Sequence, residues 1–279
     1  TSKSQVFPVL WAIFTIIAAA MQTARNAMQR DLTARLGTIG ATQVRFLFGL
    51  PFGCLFLLLV LAFTSEALPA LSWRYSSWTL AGAIGQIIAT ALMLAAMTSK
   101  SFVVTTAYTK TEPVQVALFG LIFLGDALSP MLAFAILIAT AGVMVLGWPK
   151  AGTGGTEGRR AAALGVVAGG FFAVSAVCFR GAIHGLESGS IWVRASMTLA
   201  YGLALQSALL ITYLVLRDRA TLRAILAAWR PSMLAGMMGA GASQFWFLGF
   251  SLTTAARVRT LGLVEVLFAY AVSGRLFNE

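Results

Sequence analysis

The hydrophobic pattern of this chain consists of long, nearly unbroken apolar stretches separated by short polar connections. A helix needs about 20 predominantly apolar residues to cross the ~30 Å hydrocarbon core of a bilayer, and the stretches approach or reach that length. Membrane strands alternate between lipid-facing and lumen-facing residues, so continuous apolar runs favour helices. The pattern predicts an all-α membrane protein with spans near residues 7–29, 40–63, 77–98, 102–124, 129–148, 161–183, 191–215, 232–253 and 255–277.

The second half of the chain repeats the landmarks of the first half. A shift of 153 positions places Glu112 on Glu265 and Asp126 on Glu279. Landmarks further upstream follow in the same order at shifts of 149 and 150 positions, as changes in loop length would allow. The chain is therefore predicted to contain two copies of one helical unit, an arrangement typical of transporters.

The repeat also predicts the domain organisation. The first five-helix repeat occupies residues 1–150, a Gly- and Thr-rich linker occupies 151–158, and helices six to nine of the second repeat occupy 159–279. After five spans, an odd number, the chain is on the opposite side of the membrane from where it started. The second copy is therefore expected to insert as an inverted repeat. The partner of the fifth span would begin near position 284, so we expect a tenth helix that is missing from this chain; a nine-helix protein is the alternative.

Composition agrees with a membrane protein. Hydrophobic residues make up 59% of the chain, charged residues only 10%, and the mean hydropathy is +0.85. The net charge of +11 comes from residues at helix ends and in connections, which favours lipid headgroups over nucleic acid as the partner. Both cysteines lie inside spans, which argues against a disulfide, and neither a metal site nor a cofactor is expected.

The orientation of the chain is left open because two criteria disagree. One side of the predicted topology carries ten basic residues and the other three, so the positive-inside rule places the amino terminus outside. The ten-helix family that this chain resembles instead implies an amino terminus in the cytoplasm.

Several segments resemble a known family. The fourth span and its loop, residues 109–129, carry a carboxylate-proline pair and end in a Gly-acid turn, with a weaker echo from Gly262. The fifth span ends in the Gly-rich stretch 142–147. These features resemble the drug/metabolite transporter superfamily, within it the EamA-type ten-helix exporters, and most closely the aromatic amino-acid exporters.

The resemblance implies export of small amphipathic metabolites, rather than an enzymatic activity, in the bacterial inner (plasma) membrane. It implies a central cavity lined by helices one, three, four, six, eight and nine, with helices five and ten at the periphery. This chain departs from the family pattern at the mid-helix Trp of the first and sixth helices, where it has Met21 and Phe171. In the second copy Val266 stands where the first has Pro113.

Polar side chains in the middle of spans are the candidate substrate-binding residues. Such groups are costly in lipid and usually face the interior of the bundle or a water-filled cavity. They are Gln22, Arg25, Gln86, Tyr108, Lys110, Thr111, Glu112, Ser243, Gln244, Trp246 and Glu265, with Pro113 as a hinge and no catalytic residue. Four alternatives stay open: Arg25 snorkels to the surface, Gln86 makes an interhelical hydrogen bond, Glu112 belongs to a structural kink, and Trp246 faces lipid.

The charged candidates suggest a mechanism. Lys110 and Glu112 are two residues apart, so on one helix they would point to different faces and need other partners. Arg257 or Arg259 could reach Glu112 across the interface between the repeats. We expect alternating access around a central site, whose carboxylate, cation and aromatic walls complement the groups of an amino acid.

Rival functions remain at this point. The same fold could export nucleotide-sugars, which need cations facing phosphates, or cationic drugs, which need a carboxylate without a nearby lysine. A lipid-acting membrane enzyme would need a convergent nucleophile and base, which the sequence does not suggest. We expect the partners to be a small molecule and the lipid bilayer, with no nucleic acid, and the chain to act as a monomer.

Overall fold

The computed structural model describes residues 9–98, 102–146 and 156–272, and every regular element in these ranges is helical. The helices are α1 (Leu10–Leu47), α2 (Leu50–Thr64), α3 (Trp73–Met97), α4 (Phe102–Thr109), α5 (Glu112–Leu124), α6 (Pro130–Leu146), α7 (Thr156–His184), α8 (Ile191–Arg217), α9 (Arg219–Ala227), α10 (Trp229–Leu252), α11 (Ala255–Leu261) and α12 (Glu265–Val272), with a 3-10 turn at Gly262–Val264. The prediction of an all-α membrane protein is confirmed.

The helix α1 folds back on itself at Gly37. Gly37 has φ 67° and ψ 174°, a backbone conformation that glycine adopts without a steric penalty. The side chain of Gln29 donates from Nε2 to the carbonyl of Ala41 at 2.8 Å. In a continuous helix these residues would be about 18 Å apart along the axis, since each residue rises about 1.5 Å. Residues 10–36 and 38–47 therefore belong to the first and second spans.

The fourth span is broken into α4 and α5 near its middle. Pro113 has no N–H to donate to the carbonyl of Thr109, and its ring would clash with that carbonyl in a continuous helix. The chain leaves the helix at Lys110 and Thr111, and Pro113 then lies in the first turn of α5, where proline is well tolerated. Pro113 thus starts a helix rather than bending one, which refines its predicted role as a hinge.

The ninth span is broken at the equivalent place without a proline. The α-helix ends at Leu261, a 3-10 turn covers Gly262–Val264, and α12 begins at Glu265. Both interrupted spans therefore resume with a buried glutamate, Glu112 in α5 and Glu265 in α12. The sequence shift that aligns these two residues thus also aligns the two helix breaks.

Glycines of α7 let the break in the fourth span approach closely. A Cβ atom on Gly169 would lie 2.7 Å from the carbonyl oxygen of Thr109 and 3.4 Å from the nitrogen of Glu112. A Cβ on Gly165, one turn earlier, would lie 2.7 Å from the Cβ of Tyr108. Larger residues at either position would push the interrupted helix away from α7.

The contacts between helices are preserved when the two halves are exchanged. Helix α1 packs on α10, and α3 packs on α7; α5 packs on α7, and α12 packs on α1; α5 also contacts α11, as α4 contacts α12. In this exchange α1 and α7 take each other's place, as do α3 and α10, α4 and α11, and α5 and α12. Each contact then becomes the other contact named with it. The pattern agrees with two related halves, while the inverted orientation stays a prediction.

The predicted spans differ from the helices mainly at their ends. An additional short helix, α9, lies in the connection that precedes the eighth span, and α7 begins at Thr156, inside the predicted linker. Residues 151–155, 273–277 and Glu279 lie outside the described residues. Within the described ranges, four helical stretches are long and apolar enough to cross a membrane: Leu10–Thr64, Trp73–Met97, Gly158–His184 and Ile191–Arg217.

Candidate functional site

Six charged side chains are buried among the described residues, and they cluster where the two interrupted spans meet α1. They are Arg25, Arg45, Lys110, Glu112, Arg259 and Glu265, with exposed fractions between 0% and 6%. Burying charges is costly unless they are paired and hydrogen-bonded, so the arrangement of these six groups matters for both stability and function. We call them the buried charge cluster.

Glu265 is the most highly coordinated member of the cluster. Lys110 Nζ lies 2.6 Å from its Oε2, and Gln22 Nε2 donates to the same oxygen at 2.6 Å. Asn26 Nδ2 donates to Oε1 at 3.0 Å. One cation and two amides, from two different elements, thus hold this carboxylate at the start of α12.

Glu112, in the first half, is paired with a cation from the second half. Arg259 Nε lies 3.0 Å from Glu112 Oε1, although the two atoms are not aligned as a hydrogen bond. Lys110 Nζ is 4.0 Å from Glu112 Oε2. Each half therefore contributes a cation to the carboxylate of the other: Lys110 to Glu265 and Arg259 to Glu112.

Lys110 and Glu112 each have another, closer partner, as expected, but the expectation that they point to different faces of one helix is wrong. That expectation assumed a continuous helix, but Lys110 lies in the turn between α4 and α5. The turn lets its ammonium approach both glutamates, with Glu265 the closer. Arg259 is the residue that reaches Glu112, which confirms one of the two arginines considered from the sequence; Arg257 is exposed.

Arg25 and Arg45 lie side by side beneath α10. A Cβ atom on Gly239 would be 3.1 Å from Arg25 Cδ and 3.3 Å from Arg45 Cγ, so the absence of a side chain there makes room for both. Arg25 Nε donates to Asn26 Oδ1 at 3.2 Å, and Arg45 Nη1 donates to Thr90 Oγ1 at 2.9 Å. Arg25 is fully buried, so it does not snorkel to the surface.

Trp246 connects the cluster to the core. Its Nε1 donates to Gln22 Oε1 at 3.0 Å, and the guanidinium carbon of Arg259 lies 4.3 Å from the centre of its ring. A cation over a tryptophan face is a favourable contact, especially away from water. Trp246 is only 2% exposed and therefore does not face lipid.

The remaining candidates lie elsewhere in the bundle. Gln86 Oε1 accepts from Gln206 Nε2 at 2.8 Å, which is the interhelical hydrogen bond considered as its alternative role. Gln244 Nε2 donates to Ser196 Oγ at 2.8 Å and so faces α8. The other three are placed as follows: Ser243 is buried in α10, Tyr108 is partly buried against α7, and the Thr111 hydroxyl donates to the carbonyl of Tyr108.

The structure brings together Gln22, Arg25, Lys110, Glu112, Trp246 and Glu265 from the candidate set. Two residues of the cluster region were not proposed from the sequence: Asn26, which follows Arg25, and Arg45. Arg45 is a cation inside the predicted second span and is aligned with Arg194 in the repeat, a signal that could have found it.

A second ion pair lies near the end of α7, away from the cluster. Arg180 Nη1 is 2.8 Å from Asp126 Oδ1 and 3.0 Å from Oδ2, and Arg180 Nε donates to the carbonyl of Thr253 at 3.2 Å. Gly125, with φ 66°, turns the chain so that the Asp126 N–H reaches the carbonyl of Gly120. The pair thus ties the turn after α5 to the ends of α7 and α10.

Replacing Asp126 with Asn is expected to lower the free energy of unfolding by about 1–2 kcal/mol. The pair is about 15% exposed, so its loss should cost more than the ~0–1 kcal/mol of a surface pair but less than the 3–5 kcal/mol of a fully buried one. Thermal unfolding of the purified protein in detergent measures the change. Arg180→Lys, which keeps the charge, is the control and should unfold closer to the parent; equal losses in both variants would contradict this account.

Open cavities lie on both sides of the cluster. One of about 340 Å³ adjoins the Asp126–Arg180 pair and is lined in part by Arg74, Trp78 and His184. Another of about 690 Å³ is lined by residues 28–35 of α1 and by Pro231 and Leu234 of α10. Neither lining includes the two glutamates of the cluster, which begin the short helices α5 and α12.

The apolar helices and the buried ionic centre define a multi-pass integral membrane protein with a polar site inside the bundle. A model of the EamA-like transporter family matches residues 9–148, about half of the chain, and the chain therefore belongs to that family. The membership confirms the drug/metabolite transporter superfamily, a group of transporters rather than enzymes.

One solved structure, titled only "Crystal structure of protein", is similar to this chain with a TM-score of 0.66 and 14% sequence identity. The similarity covers 97% of this chain and 88% of that one, which supports the fold alone. No curated protein matches this chain.

Proposed function

We propose that this protein exports small amphipathic metabolites, foremost amino acids, aromatic ones included, across the bacterial inner membrane. The observation that carries this proposal is the reciprocal ion pairing of the two interrupted spans, Lys110 with Glu265 and Arg259 with Glu112. Interrupted helices with charged groups at their breaks are a common way to build substrate sites at the interface between transporter repeats. In this proposal the protein acts as a monomer and needs no cofactor.

The same ion pairs suggest how the halves could move. Each pair joins one half to the other, so a rocking motion of the inverted halves must stretch or exchange these contacts. A substrate that offers an ammonium and a carboxylate could replace one partner of each pair. The site would then open to one side of the membrane at a time, with the substrate restoring the balance of charge.

The buried charge cluster also distinguishes between the two alternative substrate classes. A cationic drug needs a carboxylate free to receive it, but both buried glutamates have a cation within 3.0 Å. Nucleotide-sugars stay the second candidate, because the buried arginines could face phosphate groups.

Flux measurements in proteoliposomes test the proposal. We expect selective uptake or exchange of labelled amino acids from a panel that also contains nucleotide-sugars and lipophilic cations. Glu112→Gln should remove that flux, because it deprives Arg259 of its partner across the halves. Tyr108→Ala, which removes a predicted aromatic wall, should reduce the flux. Glu187→Gln, at an exposed position, is the matched control and should transport like the parent.

Folding of the variants is checked by size-exclusion chromatography and thermal unfolding. Flux of none of the panel compounds through the parent protein would overturn the proposal. Undiminished flux through a folded Glu112→Gln variant would instead show that the Arg259–Glu112 ion pair is not needed for transport.

A further inference from the structure

The buried charge cluster carries more positive than negative charge. Its four cations are Arg25, Arg45, Lys110 and Arg259, whereas Glu112 and Glu265 are its two carboxylates. Five other carboxylate side chains are at least partly exposed: Asp31, Glu66, Asp126, Glu187 and Asp218. Within this part of the chain, the cluster therefore has two positive charges in excess.

Loss of protons does not readily remove this excess. Arginine stays protonated in proteins, and Lys110 Nζ already has a carboxylate oxygen at 2.6 Å. An uncompensated charge in a low-dielectric interior is costly, so such groups are normally paired. The missing negative charge is therefore expected to come from a bound molecule.

The excess can be assigned to two neighbouring side chains. Lys110 and Arg259 each have a glutamate within 3.0 Å. The hydrogen bonds of Arg25 and Arg45 go to neutral groups, the amide of Asn26 and the hydroxyl of Thr90. In addition, Arg25 Nη1 is buried without a hydrogen-bond partner among the described residues.

We propose that the site takes a small metabolite of net negative charge, whose acidic group is bound by Arg25 and Arg45. This inference rests on the proposed function and narrows its substrate class from amino acids in general to acidic ones. Guanidinium groups present planar pairs of N–H donors that match the two oxygens of a carboxylate, and two arginines side by side can hold one acidic group. Gly239 keeps the arginine stems close together, which favours such a shared ligand.

A pair of isosteric ligands tests the charge requirement directly. Glutamate and glutamine have nearly the same shape but differ by one negative charge, as aspartate and asparagine do. We expect glutamate to bind the purified protein at least about tenfold more tightly than glutamine, a difference of about 1.4 kcal/mol. Ligand-induced shifts in thermal unfolding, at constant sodium chloride, give the affinities, and counterflow in proteoliposomes gives the matching transport preference.

Variants locate the acidic group. Arg25→Gln and Arg45→Gln should each reduce the preference for glutamate over glutamine, whereas Arg25→Lys, which keeps the charge, should retain part of it. Arg217→Gln, at an exposed position, is the control and should behave like the parent protein. If a glutamine variant does not fold, the comparison of glutamate with glutamine on the parent protein still tests the preference for a negative charge.

The outcomes separate this inference from the proposed function. Equal binding and transport of glutamate and glutamine would overturn the acidic preference while leaving an amino-acid exporter. No amino-acid flux at all would overturn the exporter itself. Inorganic phosphate that displaces bound glutamate, and loses this ability in Arg25→Gln, would support the anion site and extend its ligands to phosphate groups.

Discussion

Glu265→Gln is expected to lower the free energy of unfolding by about 3–5 kcal/mol and to abolish transport, because removal of one partner of a buried ion pair leaves the other charge uncompensated. Glu265 is 1% exposed, and Lys110 Nζ lies 2.6 Å from its Oε2. The substituted amide has nearly the same shape but only one oxygen, so it can keep the hydrogen bond from Gln22 or the one from Asn26 but not both. The variant therefore removes the charge together with one of these hydrogen bonds. Lys110 would then keep only Glu112, at 4.0 Å.

Thermal unfolding in detergent and flux in proteoliposomes measure the two effects. Glu66→Gln is the matched control, because Glu66 is partly exposed and its Oε2 accepts from the backbone N–H of Ser190. An amide oxygen can take over that role, so this variant should unfold near the parent temperature.

A double variant separates stability from transport. Lys110→Met combined with Glu265→Gln removes both charges, so neither member of the pair is left buried without its partner. We expect the double variant to regain most of the lost stability without regaining transport. Glu265→Gln alone unfolding at the parent temperature would show that this ion pair adds little to the fold.

Gly236→Ala is expected to destabilise the protein by about 3 kcal/mol or more, at the upper end of what overpacking of a well-packed core costs. A Cβ atom at Gly236 would lie 2.4 Å from the carbonyl carbon of Phe48 and 2.7 Å from the nitrogen of Gly49. These are backbone atoms, so no side-chain rotation can relieve the clash. Helix α10 would have to move away from the junction between α1 and α2.

Gly142→Ala is the matched control for Gly236→Ala. A Cβ atom at Gly142, in α6, meets nothing within 4 Å, so it adds no clash. Alanine favours the helix by up to about 1 kcal/mol, so this variant should unfold at the parent temperature or slightly above it. Equal behaviour of the two alanine variants in thermal unfolding would contradict the close approach at Gly236.

Much of the fold could be predicted from the sequence because lipid imposes a simple rule. Backbone polar groups must be satisfied within each span, so the long apolar stretches could only become helices. What the hydrophobic pattern did not reveal was the helix α9 and the breaks within the fourth and ninth spans. The turn at Gly37 lies in the predicted connection between the first two spans, and Pro113 had marked a hinge in the fourth. An interrupted helix is as apolar as a continuous one, so hydropathy does not distinguish them.

The candidate site was predicted in part. Mid-span polarity found both glutamates, Lys110 and Arg25, since charged groups in lipid are costly wherever they are. It also selected Gln86 and Gln244, which make hydrogen bonds to α8 outside the buried charge cluster. Polarity places a residue inside the bundle, but it does not say which interior neighbours it meets.

The sequence by itself determined that this protein is a helical membrane protein and that Glu112 and Glu265 hold equivalent positions, because transfer into lipid and internal similarity depend on residue order alone. Only the tertiary structure decided that Lys110 and Arg259 pair crosswise with these glutamates, and that Arg25 and Arg45 lie together against Gly239. The distances between spans that are far apart in the chain follow from how closely their backbones pack. That packing depends on small residues and helix breaks acting together in three dimensions.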